Sequence, residues 1–262
     1  MNRLLTAVLL LAIFIPALFF APAFVWALLI ALFSAAAAYE WARISAFPAF
    51  LPIFYGAGMG VMAIIVYLMP EQAHAMLVLY GLAALFWVLV APLWLAGRWR
   101  AEGFFLRALV GSLVILPAWA AIVALRERSA LLLLGVMALV WIADSAAYFA
   151  GRRFGRHKLA PAISPGKSWE GVAGAALALV LYASAISAAI QGLRIPGALM
   201  LAASLLYFSI LGDLFESWVK RVAGVKDSGN LLPGHGGVLD RIDALCAALP
   251  IAAGILHFAK WA

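Results

Sequence analysis

Charge is scarce in this sequence. Only 11% of its 262 residues are Asp, Glu, Lys or Arg, against about 25% in a typical soluble domain. Hydrophobic residues make up 68%, where soluble domains carry roughly 45–50%. No water-soluble fold of this length could hide so much apolar surface, so lipid is the solvent for most of the chain. Cysteine is nearly absent. Cys246 stands alone in an apolar run, which excludes a disulfide within the chain and leaves a small buried hydrophobe. Long polar stretches are missing as well, so no appended soluble domain is expected. Nothing resembles a nucleic-acid-binding module, and no internal repeat is visible. The absence of GxSxG, HExxH and any thiolate–histidine pair removes support for hydrolysis through a covalent nucleophile.

What the chain has in abundance is apolar runs close to the roughly 20 residues that cross a bilayer as a helix. Nine segments qualify: Leu4–Phe20, Ala23–Tyr39, Pro48–Met69, Ala75–Ala96, Phe105–Leu125, Ala130–Ala150, Gly171–Gln191, Pro196–Trp218 and Leu239–Trp261. The expectation is an all-α, polytopic membrane helix bundle with about nine transmembrane helices. The first two segments are short and separated only by Ala21 and Pro22, so they form either a tight hairpin or one long broken helix. The N-terminus has the look of a signal peptide, but it runs into the second apolar segment without a convincing cleavage site and is read as retained membrane structure.

The eighteen Lys and Arg residues orient the bundle. Thirteen of them fall in or beside the loops after the second, fourth, sixth and eighth segments; five (Arg3, Arg126, Arg128, Arg194 and Lys260) fall on the other side. Basic residues gather on the cytoplasmic side of a membrane, so the even loops are expected there. Two of these loops, Gly151–Glu170 and Val219–Val238, are richer in Gly, Pro, Lys and Ser than a connector needs.

Seven of the eleven acids lie between Asp144 and Asp243: those two, with Glu170, Asp213, Glu216, Asp227 and Asp240. Several sit within or at the ends of apolar segments, where a carboxylate costs roughly 2.5–3.5 kcal/mol on insertion scales and therefore faces a partner or a wet cavity. Helix-to-helix ion pairing is one explanation; a site is the other. Asp144, Tyr148 and Arg152 recur every four residues and share a helix face, as do Asp213, Glu216, Ser217 and Lys220. Asp240 and Asp243 are three apart at the start of the last segment. Hard oxygen donors of this kind suit Mg²⁺, which is commonly held by one or two carboxylates together with substrate phosphates. The loop KDSGNLLPGHGG (Lys226–Gly237) between these helices offers glycines that let a backbone approach phosphate oxygens closely. SPGKSWEG (Ser164–Gly171) carries Ser164, Lys167 and Ser168 just before a helix start, which reads equally as an anion site or an ordinary N-cap. His74, His157 and His257 have no supporting company.

The stretch SWVKRVAGVKDSGNLLPGHGGVLDRID (Ser217–Asp243) resembles the signature of phosphatidate cytidylyltransferases, also called CDP-diacylglycerol synthases. Its Ser217, Lys220–Arg221, Lys226–Asp227, Pro233, His235–Gly236–Gly237, Asp240–Arg241 and Asp243 all carry the match. The stretch Asp144–Gly171 resembles a second family motif, with Gly166 and Ser168 where many relatives carry Lys and Thr. The resemblance implies transfer from CTP to phosphatidate, giving CDP-diacylglycerol and pyrophosphate, with Mg²⁺ required. It implies Asp213 and Asp240 as metal ligands, with Asp144 and Asp243 in or near that shell. Lys226, Lys167 and Arg241 would neutralise phosphates, and Asp227 stands beside them. His235, Gly236, Gly237 and Ser164 would contact CTP, while Ser217 and Lys220 would orient the acids or the lipid phosphate.

On this reading residues 1–128 are N-terminal transmembrane helices and residues 129–262 a catalytic transmembrane region with two cytoplasmic loops. The setting is the inner (cytoplasmic) membrane, with the site towards the cytoplasm and lipid tails left in the bilayer. Three rivals stay open: a CTP-user with another lipid acceptor, a transporter, and an inactive assembly subunit. Oligomeric state is open as well, a homodimer included.

Overall fold

The computed structural model describes residues 3–189, 194–234 and 236–258. In lipid every backbone N–H and C=O has to be satisfied within its own segment, and the helix does this locally. The chain accordingly forms α1 (Arg3–Phe20), α2 (Ala23–Ile44), α3 (Leu51–Leu68), α4 (Gln72–Leu85), α5 (Ala91–Gly97), α6 (Phe104–Arg128) and α7 (Ala130–Phe154). A short antiparallel hairpin follows, β1 (Lys158–Ala160) and β2 (Ser164–Ser168), and then α8 (Trp169–Ala189), α9 (Ile195–Val222) and α10 (Leu239–Phe258). A π turn, Phe86–Val90, joins α4 to α5 into one rod just before Pro92. A π turn there absorbs the hydrogen bond that proline cannot donate.

Among the described residues nine rods coincide with the nine apolar segments; α2, α7 and α9 run four or five residues past the expected ends, while α3 starts three residues later than Pro48. Among the described residues seven are long and apolar enough to cross a membrane, so nine crossings is an approximate count. The last rod, α10, opens with Asp240, Arg241 and Asp243. The expected ends at Gln191 and Trp261 lie outside the described residues. The first two segments are separate helices: Phe14 of α1 meets Trp26 of α2 at 5.5 Å between ring centroids, while α2 packs mainly along α3 and α6. Arg126 of α6 donates to the carbonyls of Leu18 and Ala21 at their junction. The loop expected over Gly151–Glu170 contains the β-hairpin, because α7 continues to Phe154 and the chain then folds back with Lys158 opposite Ser168.

The central rod is α6, which packs on α2, α4, α7 and α10. Trp119 on α6 is fully buried and donates its indole N–H to Ala27 O at 3.2 Å. Close helix approach rests on small residues, as is usual when lipid supplies no hydrophobic drive between helices. Gly171 on α8 leaves no room for a side chain against Ala147 O of α7, and Gly212 on α9 sits against Asp243 O of α10. An aromatic cage holds α9. Phe215 lies edge-on to Phe86, Trp87 and Trp94 at centroid distances of 5.3, 5.5 and 5.8 Å, and stacks on Trp41 of α2 at 6.5 Å. One hydrophobic core therefore runs from Leu18 to Leu256, and the N-terminal helices position the helix that bears Asp213 and Glu216.

Candidate active site

At one end of the bundle the C-terminal halves of α7 and α9, the start of α10 and the hairpin enclose a cavity of about 690 Å³. Asp144, Tyr148 and Arg152 enter from α7, Lys158, Ser164 and Lys167 from the hairpin, Asp213 from α9, and Asp240 and Asp243 from α10. The helical spacings work as expected. Arg152 lies 3.3 Å from Tyr148 Oη, and Ser217 Oγ donates to Asp213 Oδ1 at 3.2 Å. The other Asp213 oxygen meets Lys167 Nζ at 2.5 Å, which joins the hairpin to α9. Asp144 and Asp243 also line the cavity and make no ion pair among the described residues. Asp243 Oδ1 takes the neighbouring Ala244 N–H, at 2.7 Å.

Asp240 is engaged differently. Its Oδ1 accepts from Lys220 Nζ at 2.6 Å, and its Oδ2 accepts from the N–H groups of Ser228 and Gly237, each at 2.9 Å. Lys220 Nζ also reaches Glu216 Oε2 at 2.6 Å. All three side chains of this Glu216–Lys220–Asp240 cluster are nearly buried. Asp240 thus anchors both ends of the Gly-rich loop onto α10. Within that loop Leu232 N donates to Gly236 O at 3.0 Å, and Gly236 adopts φ +83°, where a side chain would be strained. A Cβ at Gly236 would also lie 2.9 Å from Asp240 Oδ2. His235 lies outside the described residues.

The structure brings Asp144, Ser164, Lys167, Asp213, Asp240 and Asp243 together around one space. Lys226, Asp227 and Arg241 are exposed and do not line it. Asp227 borders a separate depression of about 300 Å³ with Arg43, Ser228 and Asn230. Gly237 reaches the site through its bond to Asp240, and Ser217 and Lys220 hold Asp213 and Asp240 respectively. Ser168 is an N-cap: its Oγ accepts from Gly171 N at 3.2 Å, while the adjacent Lys167 serves the cavity. His157 does have company, contrary to expectation. Its Nδ1 lies 2.7 Å from Glu170 Oε1, and its N–H also bonds that carboxylate, closing the base of the hairpin. A β-turn register invisible in the hydropathy brought the two together.

Lys158 and Arg152 line the cavity as further cations that sequence reasoning did not assign to phosphate; Arg152 was signalled by its place on the Asp144 face, Lys158 only by clustering with other basic residues. Glu40 was also missed. It sits on α2, is buried, and accepts at Oε2 from Ser228 Oγ (3.0 Å) and Leu239 N (2.9 Å). Its sequence neighbourhood, AYEWAR, gave no hint of a partner two hundred residues away. Among the described residues no set of three or more His, Cys, Asp or Glu is gathered tightly enough to hold a metal unaided. Asp144 and Asp243 nevertheless present unpaired oxygen donors to a polar space, and such donors fit a hard cation completed by phosphate oxygens.

An apolar groove of about 370 Å³ adjoins the cavity between α8 and α9. It is lined by Trp169, Ala203, Tyr207 and Leu214, and shares Leu159, Val172, Leu206 and Ile210 with the polar space.

This is a polytopic membrane protein whose helix ends gather carboxylates and cations around a polar cavity open beside an apolar one. A family described as the cytidylyltransferase family matches residues 1–259, and the chain belongs to it. A phosphatidate cytidylyltransferase of Pseudomonas aeruginosa is 42% identical over 99% of this chain and 98% of its own length. A protein of the same name from Brucella suis is 41% identical over 80% of this chain and 76% of its own. One from Haemophilus influenzae is 53% identical over 45% of this chain and 43% of its own.

Proposed function

We propose that this cavity transfers the cytidylyl group of CTP to phosphatidate, giving CDP-diacylglycerol and pyrophosphate for phospholipid biosynthesis. Family membership and relatives of that name support the activity. The observation that carries the site assignment is the meeting of Lys167 and three open-facing acids with an apolar groove: the chemistry joins a polar nucleotide to a lipid. A phosphatidate phosphate oxygen attacks the α-phosphorus of CTP, the bond from that phosphorus to the β-phosphate bridging oxygen breaks, and pyrophosphate leaves. The attacking phosphate is already anionic at neutral pH, so no base is required. The difficulty is bringing two anions together, and catalysis is mainly positioning and charge neutralisation.

Lys167, Arg152 and Lys158 supply positive charge around the triphosphate. Asp144, Asp213 and Asp243 are the residues that would hold Mg²⁺, which supplies charge neutralisation on the phosphates when bound. Asp240 acts through its hold on the loop Lys226–Gly237, and His235 keeps the CTP-contacting role that the family resemblance implies. Lys226 and Arg241, on the exposed side, guide CTP inward as positive charge, with Asp227 beside them. Acyl chains lie in the groove between α8 and α9 and reach it sideways from the bilayer. The excess of basic residues at this end supports an orientation with the site towards the cytoplasmic face of the inner membrane. The catalytic groups then belong to residues 129–262, and residues 1–128 provide the frame against which they are set.

The test is CDP-diacylglycerol formation by the detergent-purified protein from CTP and phosphatidate, with and without Mg²⁺. Metal-dependent product is expected. Folded protein that forms none, while converting CTP with a different lipid phosphate, would overturn the choice of phosphatidate.

A further inference from the structure

The first N–H groups of a helix have no partner inside it and need an acceptor from elsewhere. On α10 that acceptor comes from the other half of the chain. Glu40 Oε2 accepts from Leu239 N at 2.9 Å, and from Ser228 Oγ at 3.0 Å. Ser228 Oγ in turn accepts from Asp240 N at 3.3 Å, and Ser228 N donates to Asp240 Oδ2 at 2.9 Å. One carboxylate on α2 therefore ties together the start of the Gly-rich loop and the first turn of α10. The seating is close. A Cβ at Gly229 would lie 2.5 Å from Glu40 Oε1, and one at Gly237 would collide with both Ser228 Oγ and Glu40 Oε2. Glu40 is 1% exposed, and its Oε1 is buried with no hydrogen-bond partner among the described residues.

Packing alone does not account for a carboxyl group in such a place, since an apolar residue of similar size would fill it at less desolvation cost. Its neighbour Trp41 stacks on Phe215, between Asp213 and Glu216. The same turn of α2 thus touches α9, α10 and the loop.

We propose that Glu40 is a positioning residue for the nucleotidyl transfer: it caps α10 from outside and fixes the Ser228–Gly237 loop, so that Asp240 and Asp243 keep their bearing on the cavity. This rests on the activity proposed above. The requirement is for an acceptor oxygen at Oε2, not for a negative charge. Glu40→Gln can supply that oxygen to both donors, whereas Glu40→Ala leaves the Ser228 hydroxyl and the Leu239 N–H without it.

The experiment measures turnover, KM for CTP, and amide hydrogen exchange across the full-length protein for wild type, Glu40→Ala, Glu40→Gln and Ser228→Ala. Glu40→Ala should lower kcat about 10- to 100-fold, the range seen when a residue that orients catalytic groups is lost. Amides of residues 226–240 should exchange at least about tenfold faster, with α6 and α7 unchanged. Ser228→Ala should show the same pattern more weakly, and Glu40→Gln should retain most of the turnover and the slow loop exchange. Wild-type turnover and exchange in Glu40→Ala would overturn the proposal. Faster exchange throughout the bundle in that variant would overturn it too, because Glu40 would then be a general fold determinant. Equal damage from Gln and Ala would overturn the acceptor requirement. A wild-type protein that makes no CDP-diacylglycerol would defeat the activity reading instead, and the exchange contrast would still decide whether Glu40 holds the loop.

Discussion

The Lys167 ammonium on β2 lies 2.5 Å from the Asp213 carboxylate on α9. The pair joins a hairpin to a membrane helix across the cavity, and each side chain remains partly open, at 21% and 31% exposure. Pairs this accessible contribute only about 0–1 kcal/mol to stability. The bond is therefore better understood as holding a cation ready beside the acids than as a brace. Lys167→Met should leave the unfolding temperature nearly unchanged while lowering kcat by about 100-fold, the scale of losing one electrostatic contact to a reacting phosphate. Circular dichroism melts and steady-state rates on the same preparation separate the two effects. A large drop in melting temperature with little loss of rate would refute this division.

Asp144 and Asp243 face the cavity without an ion pair among the described residues. Removing one charge from such a pair of donors should weaken a bound hard cation without emptying the site of nucleotide. Asp144→Asn and Asp243→Asn should each raise the Mg²⁺ concentration for half-maximal rate by about tenfold or more, and chelation should abolish wild-type product. Mg²⁺ titrations at saturating CTP give the answer. An unshifted Mg²⁺ dependence in both variants would remove these residues from the metal's surroundings.

Much of this was legible before any coordinates. Long apolar runs have few structural options in lipid, so the nine rods and their order follow from hydropathy. The i, i+3 and i, i+4 spacings correctly joined Asp213 to Ser217 and Glu216 to Lys220, because a helix converts sequence distance directly into space. What stayed hidden depends on partners far apart in the chain. The sequence leaves open which of four acids is tied up by a lysine and a loop, and Asp240 is the one that takes two loop N–H groups besides its lysine. Glu40 meets Leu239 across 199 positions, and no periodicity encodes such a contact. The hairpin was obscured by its short strands, three and five residues, below the length at which an alternation can be read.

Lys220 stands between two carboxylates, 2.6 Å from each, with all three side chains nearly buried. Losing the cation would leave Glu216 and Asp240 close together with only the loop N–H groups on Asp240 to offset them. Removing one partner from a buried ion pair costs about 3–5 kcal/mol, several times the worth of the Lys167 pair. Lys220→Met should accordingly be the more damaging substitution for stability, with a clearly lowered unfolding temperature in detergent. Lys220→Met combined with Glu216→Gln should recover part of the loss, because one of the stranded charges is gone. Equal melting temperatures for Lys220→Met and wild type would show that water reaches this cluster.

Two glycines of the hairpin region make opposite demands. Gly166 lines the cavity, and a Cβ there would meet nothing within 4 Å. At Gly171 a Cβ would lie 2.8 Å from Ala147 O, a backbone atom that can yield only if α7 and α8 separate. Gly171→Leu should therefore destabilise the protein, by about 1–3 kcal/mol on the scale of overpacked sites. Gly166→Lys should fold as wild type and add a cation at the rim of a cavity proposed to receive a triphosphate. One partly exposed charge pair is worth up to about 1 kcal/mol, so KM for CTP should fall by about two- to fivefold, with kcat little changed. The fall should shrink as ionic strength rises, because an exposed charge is screened over about 10 Å at 0.1 M salt. Initial rates at low and high salt measure both points. A KM that stays the same at low salt would mean that the triphosphate does not pass Gly166, and would move its path to the exposed side of the Lys226–Gly237 loop.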